Sequence, residues 1–154
     1  MSELVVLSPG TAADLDAVMD VMDDSFDSCF GEGWTAPQCA GLLPLPGVWL
    51  TIARIGDSAV GFALCRIVLS EAELLLLAVK KQSQGRGIGQ QLLDSFIEDA
   101  GRRGADSLHL EVREGNHAIG LYKRAGFSQV GRRKAYYSGR DGQCYDALTL
   151  ARAN

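Results

Sequence analysis

An α/β (α+β) fold, with a mixed, mostly antiparallel sheet of about seven strands and helices on both faces, is predicted by three features of the sequence. The apolar runs Val48–Arg54 and Ala59–Val68 are separated by a tight turn at Gly56-Asp57, with Glu71–Val79 following as a third strand. That is the pattern of an antiparallel meander opened by a hairpin. Next, Gly87–Arg102 carries Ile88, Leu92, Leu93, Phe96 and Ile97 on one stripe, as an amphipathic helix does. This helix stands between two strands, and a strand–helix–strand unit demands a right-handed crossover and locally parallel neighbours. Finally, the chain closes on two more strand patterns, Phe127–Lys134 and Tyr145–Ala151.

The remaining elements follow in order. Leu4–Leu7 reads as a short first strand. Thr11 is placed to cap a helix starting at Ala12, with Leu15, Val18, Met19 and Met22 on one face. The glycine- and proline-containing stretch Ser28–Gly47 holds one short helix around Pro37–Leu43. Leu108–Val112 is a strand in which His109, Glu111 and Arg113 alternate with the apolar positions. Ala118–Ala125 is a short helix stopped by Gly126. No repeat, low-complexity tract or linker divides residues 1–154, so a single domain is expected.

Composition narrows the function. Of 154 residues, 47% are hydrophobic and 22% charged, ordinary values for a globular chain. No apolar run is long enough to span a bilayer, and Met1–Pro9 lacks the basic start and apolar stretch of a signal peptide. Cytoplasmic residence with no membrane partner is the expectation. A net charge of −4 opposes a nucleic-acid partner. Cys29, Cys39, Cys65 and Cys144 form no CxxC pair and have no histidine at ligand spacing, so free thiols and no metal are expected. Cys65, inside an apolar strand, reads as core.

The informative segment is Leu77-Ala78-Val79-Lys80-Lys81-Gln82-Ser83-Gln84-Gly85-Arg86-Gly87-Ile88-Gly89-Gln90, where a strand ends, a glycine-rich turn follows and a long helix begins. Unpaired N–H groups and the positive end of the macrodipole make such a helix start an anion cradle. Glycine lets the backbone approach the anion without a Cβ in the way. No Gly-Lys-Ser/Thr triplet marks a P-loop, and Gly85, Gly87 and Gly89 are evenly spaced rather than set as a dinucleotide-binding fingerprint. On glycine content alone, a helix start with no ligand stands as the lesser alternative.

Gln84-Gly85-Arg86-Gly87-Ile88-Gly89 resembles the Q/R-x-x-G-x-G/A signature of the GNAT N-acetyltransferases. Leu110-Glu111-Val112-Arg113, then Asn116, then Leu121-Tyr122-Lys123-Arg124-Ala125-Gly126-Phe127 are similar to that family's downstream elements. Arg132–Tyr137 with Asp146-Ala147-Leu148 is similar in particular to the RimI-type members, N-terminal alanine acetyltransferases of a ribosomal protein. The resemblance implies the GNAT fold and acetyl-coenzyme A as co-substrate. Leu77, Ala78 and Val79 would pair their backbone with the pantetheine arm, and Gln84, Gly85, Arg86, Gly87, Ile88, Gly89 and Gln90 would hold the pyrophosphate. Asn116 would contact the coenzyme, although it stands six positions before Tyr122, one fewer than in RimI-type chains. Glu111 would be the general base and Tyr122 the general acid.

The chemistry asks for a carboxylate to deprotonate an amine, a phenol to protonate a leaving thiolate, and a backbone N–H, that of Val79, to polarise the thioester. Glu73 is a rival base, and Glu111 could instead simply pair with Arg113 or another cation. Tyr122 could be a core aromatic and His109 a structural histidine. The acceptor implied is a primary amine, foremost a protein N-terminal α-amine. A small-molecule amine, or a coenzyme-binding regulatory module without catalysis, are the alternatives. Tyr136-Tyr137, the loop Ser138–Gln143 and the segment Phe26–Trp34 would line the acceptor side.

Overall fold

The computed structural model describes residues 4–154; Met1, Ser2 and Glu3, which the single-domain reading includes, lie outside them. Its centre is a seven-stranded sheet in the order β1-β2-β3-β4-β5-β7-β6. The strands are β1 Val5–Gly10, β2 Val48–Ile55, β3 Ser58–Val68, β4 Glu71–Val79, β5 Ser107–Arg113, β6 Ser128–Ser138 and β7 Cys144–Ala153. Only β4 and β5 run parallel, because the helix α3, Ile88–Arg102, crosses between them. Every other neighbouring pair is antiparallel, as the hairpin pattern at Gly56-Asp57 predicts.

Local chemistry sets the helix starts. The Thr11 hydroxyl accepts from Ala13 N–H at 3.2 Å while Asp14 accepts from Thr11 N–H at 2.8 Å. This closes a tight 3₁₀ turn over Ala12–Asp14, so α1 itself, Leu15–Ser25, begins three residues later than Thr11 alone suggests. Thr35 and Gln38 form the same reciprocal cap at the start of α2, Ala36–Leu42. The last helix, α4, spans Ile119–Arg124 and stops at Gly126, whose φ of +94° suits glycine.

Helices cover both faces. Ile88, Leu92, Leu93 and Phe96 of α3, with Tyr122 of α4, pack against Ala63, Cys65, Leu74, Leu108 and Leu110 on one face. Val18, Val21 and Met22 of α1, with Cys39 of α2, pack against Leu50, Ile52, Phe62, Leu64 and Leu76 on the other. Cys65 is fully buried, as its strand pattern implies. Phe96 is sealed as well, and truncating so large a side chain to alanine costs about 3–5 kcal/mol.

Two irregularities shape the site. In β4 the pairings Cys65↔Leu74 and Leu64↔Leu76 leave Leu75 as an extra residue. This bulge turns Leu74 toward the α3 layer and Leu76 toward the α1 layer. The parallel ladder with β5 then ends at Leu74↔Leu110, so the two strands part beyond it. The second irregularity lies in β6, which runs past Lys134 to Ser138 because a bulge between Arg133 and Tyr137 lets pairing resume at Tyr137↔Tyr145. Ala135, inside that bulge, has φ of +53°, and its N–H is held by Asp146 Oδ1 at 2.9 Å. β1 likewise extends past Leu7 to Gly10, with Pro9 tolerated on the edge strand. Among the described residues no helix is long and apolar enough to cross a membrane.

Candidate active site

A cleft of about 620 Å³ opens where β4 and β5 part. Its β4 wall is Leu74–Val79, and the strand's hydrogen-bonding edge there is unpaired by β5. Lys80 N–H points the other way, to Val60 O at 2.8 Å. Because N–H directions alternate along a strand, Val79 and Leu77 N–H face the cleft.

Below that wall the chain turns into α3. The Gln84 amide donates to Val79 O at 3.0 Å and so folds the turn back onto the strand end. Gly85 and Gly87 have φ of +80° and +79°, and a Cβ at either would meet no atom within 4 Å. Two left-handed glycines over open space, leading into a helix of 15 residues, leave backbone N–H groups free for an anion. The turn is steadied from α1: Asp24 accepts from Lys81 N–H at 2.8 Å, and Asp20 pairs with Lys80 at 2.6 Å. Gln84, Gly85, Gly87, Ile88 and Gly89 line the cleft, whereas Arg86 and Gln90 do not. Gln90 instead donates to Asp94 along the helix at 2.8 Å.

Glu111 and Tyr122 reach the cleft from opposite sides of the sheet. Leu108, Leu110 and Val112 face the α3 layer, which sends Glu111 to the α1 side. Tyr122 comes from α4 in the α3 layer, buried and edge-on to Phe127. The helix stop fixes it, since Tyr122 O accepts from Phe127 N–H at 3.1 Å. Burial, then the nearby Tyr137 and Glu32, push the Tyr122 phenol well above its ordinary value. A phenol held in this way stays protonated across the physiological pH range. Glu111 pairs with Arg133 Nε at 2.9 Å, not with Arg113. Glu73, the rival carboxylate, lies on the strand but outside the cleft lining, bound by Arg66 at 2.7 Å and near His109 at 3.7 Å.

Pattern reading missed Glu32. It accepts from Arg113 Nε at 3.0 Å and from the Asn116 amide at 2.7 Å, so both its oxygens are engaged. The side chains of Arg113 and Glu32 are only 11% and 10% exposed, and Arg113 lies 3.7 Å from the centre of the Phe30 ring. Asn116 lines the cleft, but its side chain is shared between Glu32 and the N–H of Ala118, 2.8 Å away at the start of α4. No local spacing marks Glu32, which the sequence placed only within the acceptor-side segment Phe26–Trp34.

The expected acceptor wall is only partly as drawn. Phe26, Asp27, Phe30 and Tyr137 line the cleft, while Tyr136 is exposed and Trp34 packs against the α1-side core. The loop after β6 does not line the cleft but backs the segment that does. Arg140 N–H donates to Ser28 O at 3.2 Å, and Gly31 and Gly139 sit so close to Ser138 O and Cys29 O that a Cβ would collide. Among the described residues no group of three or more His, Cys, Asp or Glu side chains could hold a metal.

A sheet splayed after a strand bulge, with an anion turn on one side and a carboxylate and a buried phenol across the gap, defines a class. The chain belongs to the acetyltransferase (GNAT) family, whose model matches residues 15–127. It is 41% identical over 95 residues to the ribosomal protein bS18-alanine N-acetyltransferase of Haemophilus influenzae, covering 62% of this chain and 65% of that one. The enzyme of the same name from Escherichia coli is 41% identical over 91 residues, 58% of this chain and 61% of that one. The chain thus matches somewhat under two thirds of these relatives' length. The crystal structure of the ribosomal-protein-S18-alanine N-acetyltransferase from Escherichia coli superposes with a TM-score of 0.86 at 29% identity, covering 97% of this chain and 94% of that one.

Proposed function

We propose that this protein transfers an acetyl group from acetyl-coenzyme A to a protein N-terminal α-amine, as its relatives' names describe for the alanine of ribosomal protein bS18. The observation that carries the reading is that Glu111, Tyr122 and the glycine turn all line the one cleft that opens where β4 and β5 part. The open edge at Leu77, Ala78 and Val79 suits an extended amide-bearing arm, and the turn Gln84–Gly89 suits a pyrophosphate.

In this reading Glu111 takes the proton that the amine loses as its nitrogen bonds to the acetyl carbon. Val79 N–H steadies the carbonyl oxygen, and Tyr122 gives its proton to sulfur as the carbon–sulfur bond breaks. Asn116 holds the start of α4, its side chain accepting from Ala118 N–H at 2.8 Å, at the edge of the coenzyme's cleft. An α-amine has a pKa of about 8, against about 10.4 for lysine, so a single carboxylate is enough help near neutral pH.

The test is a panel of Ala-, Ser- and Met-initiated peptides with free N-termini, scored by thiol release and mass spectrometry. For an α-amine acceptor kcat/KM rises with pH and levels near about 8; for lysine it keeps rising. Glu111→Gln lowers the rate most at neutral pH and recovers in part at high pH, whereas Glu73→Gln leaves turnover near wild type. Acetylation confined to lysine side chains would discard the N-terminal reading.

A further inference from the structure

Three carboxylates line the cleft. Asp27 accepts from Cys29 N–H at 3.0 Å and closes its own loop, while Glu32 and Glu111 are held in opposite ways. Glu32 has one oxygen on Arg113 and the other on Asn116, in a pair whose side chains are 11% and 10% exposed. Breaking such a buried pair leaves an uncompensated charge, at a cost of several kcal/mol. Glu32 is therefore not available to a ligand. Glu111 has its oxygen on Arg133, whose side chain is 61% exposed while that of Glu111 is 16% exposed. An ion pair with so open a partner is weak, worth only a few-fold in an equilibrium constant.

The geometry of that pair is unusual. Arg133 belongs to β6 and Glu111 to β5, with β7 between them. Arg133 is in register with Ala147, and Ala147 with Arg113 of β5. The guanidinium therefore reaches across a whole strand, over a small side chain, to touch the carboxylate. The β6 bulge begins immediately after it, and places Tyr136 so that its ring centre is 5.5 Å from the Arg133 guanidinium. Arg133 thus already makes a second favourable contact beside Glu111, one that does not depend on the carboxylate.

We infer that Arg133 is an exchangeable counter-ion: it occupies Glu111 until the cationic amine of the acceptor takes its place on the same carboxylate. This rests on the reading of Glu111 as the general base. An α-amine arrives largely as ammonium at neutral pH, and a cleft that is to receive it must offer a carboxylate whose partner departs cheaply. Arg113, locked on Glu32 and stacked on Phe30, is no such partner. Arg133 is a positioning residue in this scheme: it acts through the Glu111 carboxylate and leaves it when the acceptor arrives.

The experiment titrates an Ala-initiated peptide with a free N-terminus, and its N-acetylated twin, into protein saturated with coenzyme A. Because Arg133 competes with the ammonium, Arg133→Gln tightens the free-amine peptide roughly two- to five-fold, the equivalent of the pair's strength. The acetylated twin, which carries no charge to compete, keeps its affinity. Arg133→Lys, which restores a cation, stays close to wild type for both. A shift of both peptides together, an unshifted free-amine peptide or a weakened one in Arg133→Gln overturns the inference. Wild-type protein that releases no thiol with any free-amine peptide overturns the functional reading, and this inference with it.

Discussion

On one side of the cleft, the strand end Leu77–Val79, the turn Gln84–Gly87 and the start of α3 follow one another along the chain, and their backbone amides do the binding proposed for them. On the other side, Phe26–Glu32, Glu111–Arg113 and Tyr137 come from three distant segments and act through side chains. Arg113 and Glu32, which join two of those segments, are 81 positions apart. The first side is a local structure whose geometry follows from where glycines fall. The second exists only when the fold is complete. Substitutions on the first side should therefore change one ligand's binding, and substitutions on the second should change stability and acceptor use together.

Tyr122→Phe tests the junction of the two sides and has the largest expected effect. The ring still packs on Phe127, so folding is preserved, while turnover falls by about 10²–10⁴ from loss of the proton donor. Coenzyme affinity by calorimetry should hardly move, and near-full turnover would make Tyr122 a core residue only.

Glu32→Ala comes next. It leaves the Arg113 guanidinium unpaired at 11% exposure, costing about 3 kcal/mol in urea unfolding. If the loss comes from that orphaned charge, replacing Arg113 with Met in the same protein restores most of it. A single-mutant cost below about 1 kcal/mol would show that the segment around Glu32 is not tied down by this pair.

The local side is best probed at Gly89. Gly85 and Gly87 sit at positive φ, where any side chain adds strain, so a substitution there confuses folding with binding. Gly89 lies in α3, and its Cβ would make an ordinary 3.5 Å contact with Leu121. An acid in the first helical turn favours the helix but repels an anion. Gly89→Glu should keep the melting temperature and weaken coenzyme A at least about ten-fold, about 1.4 kcal/mol; unchanged affinity would move the anion site elsewhere.

The smallest effect concerns His109 and Glu73, which pattern reading had as a structural histidine and a rival base. The Glu73 carboxylate, 3.7 Å from His109 Nε2, raises the imidazole above its ordinary value. Burial pushes Glu73 up, but hydrogen bonds from His109 and Arg66 outweigh it and hold the carboxyl below its usual range. A raised histidine stabilises the fold below about pH 6.5 and loses that contribution as pH climbs through its folded value. A lowered carboxylate stabilises above about pH 4.5 and loses its share as pH falls. Stability should thus decline slightly above about pH 6.5, by less than about 1 kcal/mol because the His109 side chain is 34% exposed. His109→Gln should flatten the melting temperature between pH 5.5 and 8.5, and an unchanged slope there would uncouple the pair from stability.

The sequence by itself determined the strand count, the parallel crossover, the glycine turn and the helix behind it. Each of these is written in residues close together in the chain: alternation, a 3.6-residue stripe, caps and glycines. Glu111 and Tyr122 were legible through the resemblance of Leu110–Arg113 and Leu121–Phe127 to the family's elements, and they fall within the short β5 and α4. What remained to the tertiary structure was the partner of the charged side chains around the acceptor side of the cleft. Arg113 left its strand neighbour for Glu32, Arg133 crossed β7 to Glu111, and Asn116 was drawn to the same Glu32. It also decided that the sheet splits at Leu75 and that Tyr137, rather than Tyr136, faces the cleft. Alternation predicts which face a residue takes only while pairing stays regular. A bulge reverses the count, and an ion pair depends on which strands become neighbours, which no spacing along the chain records.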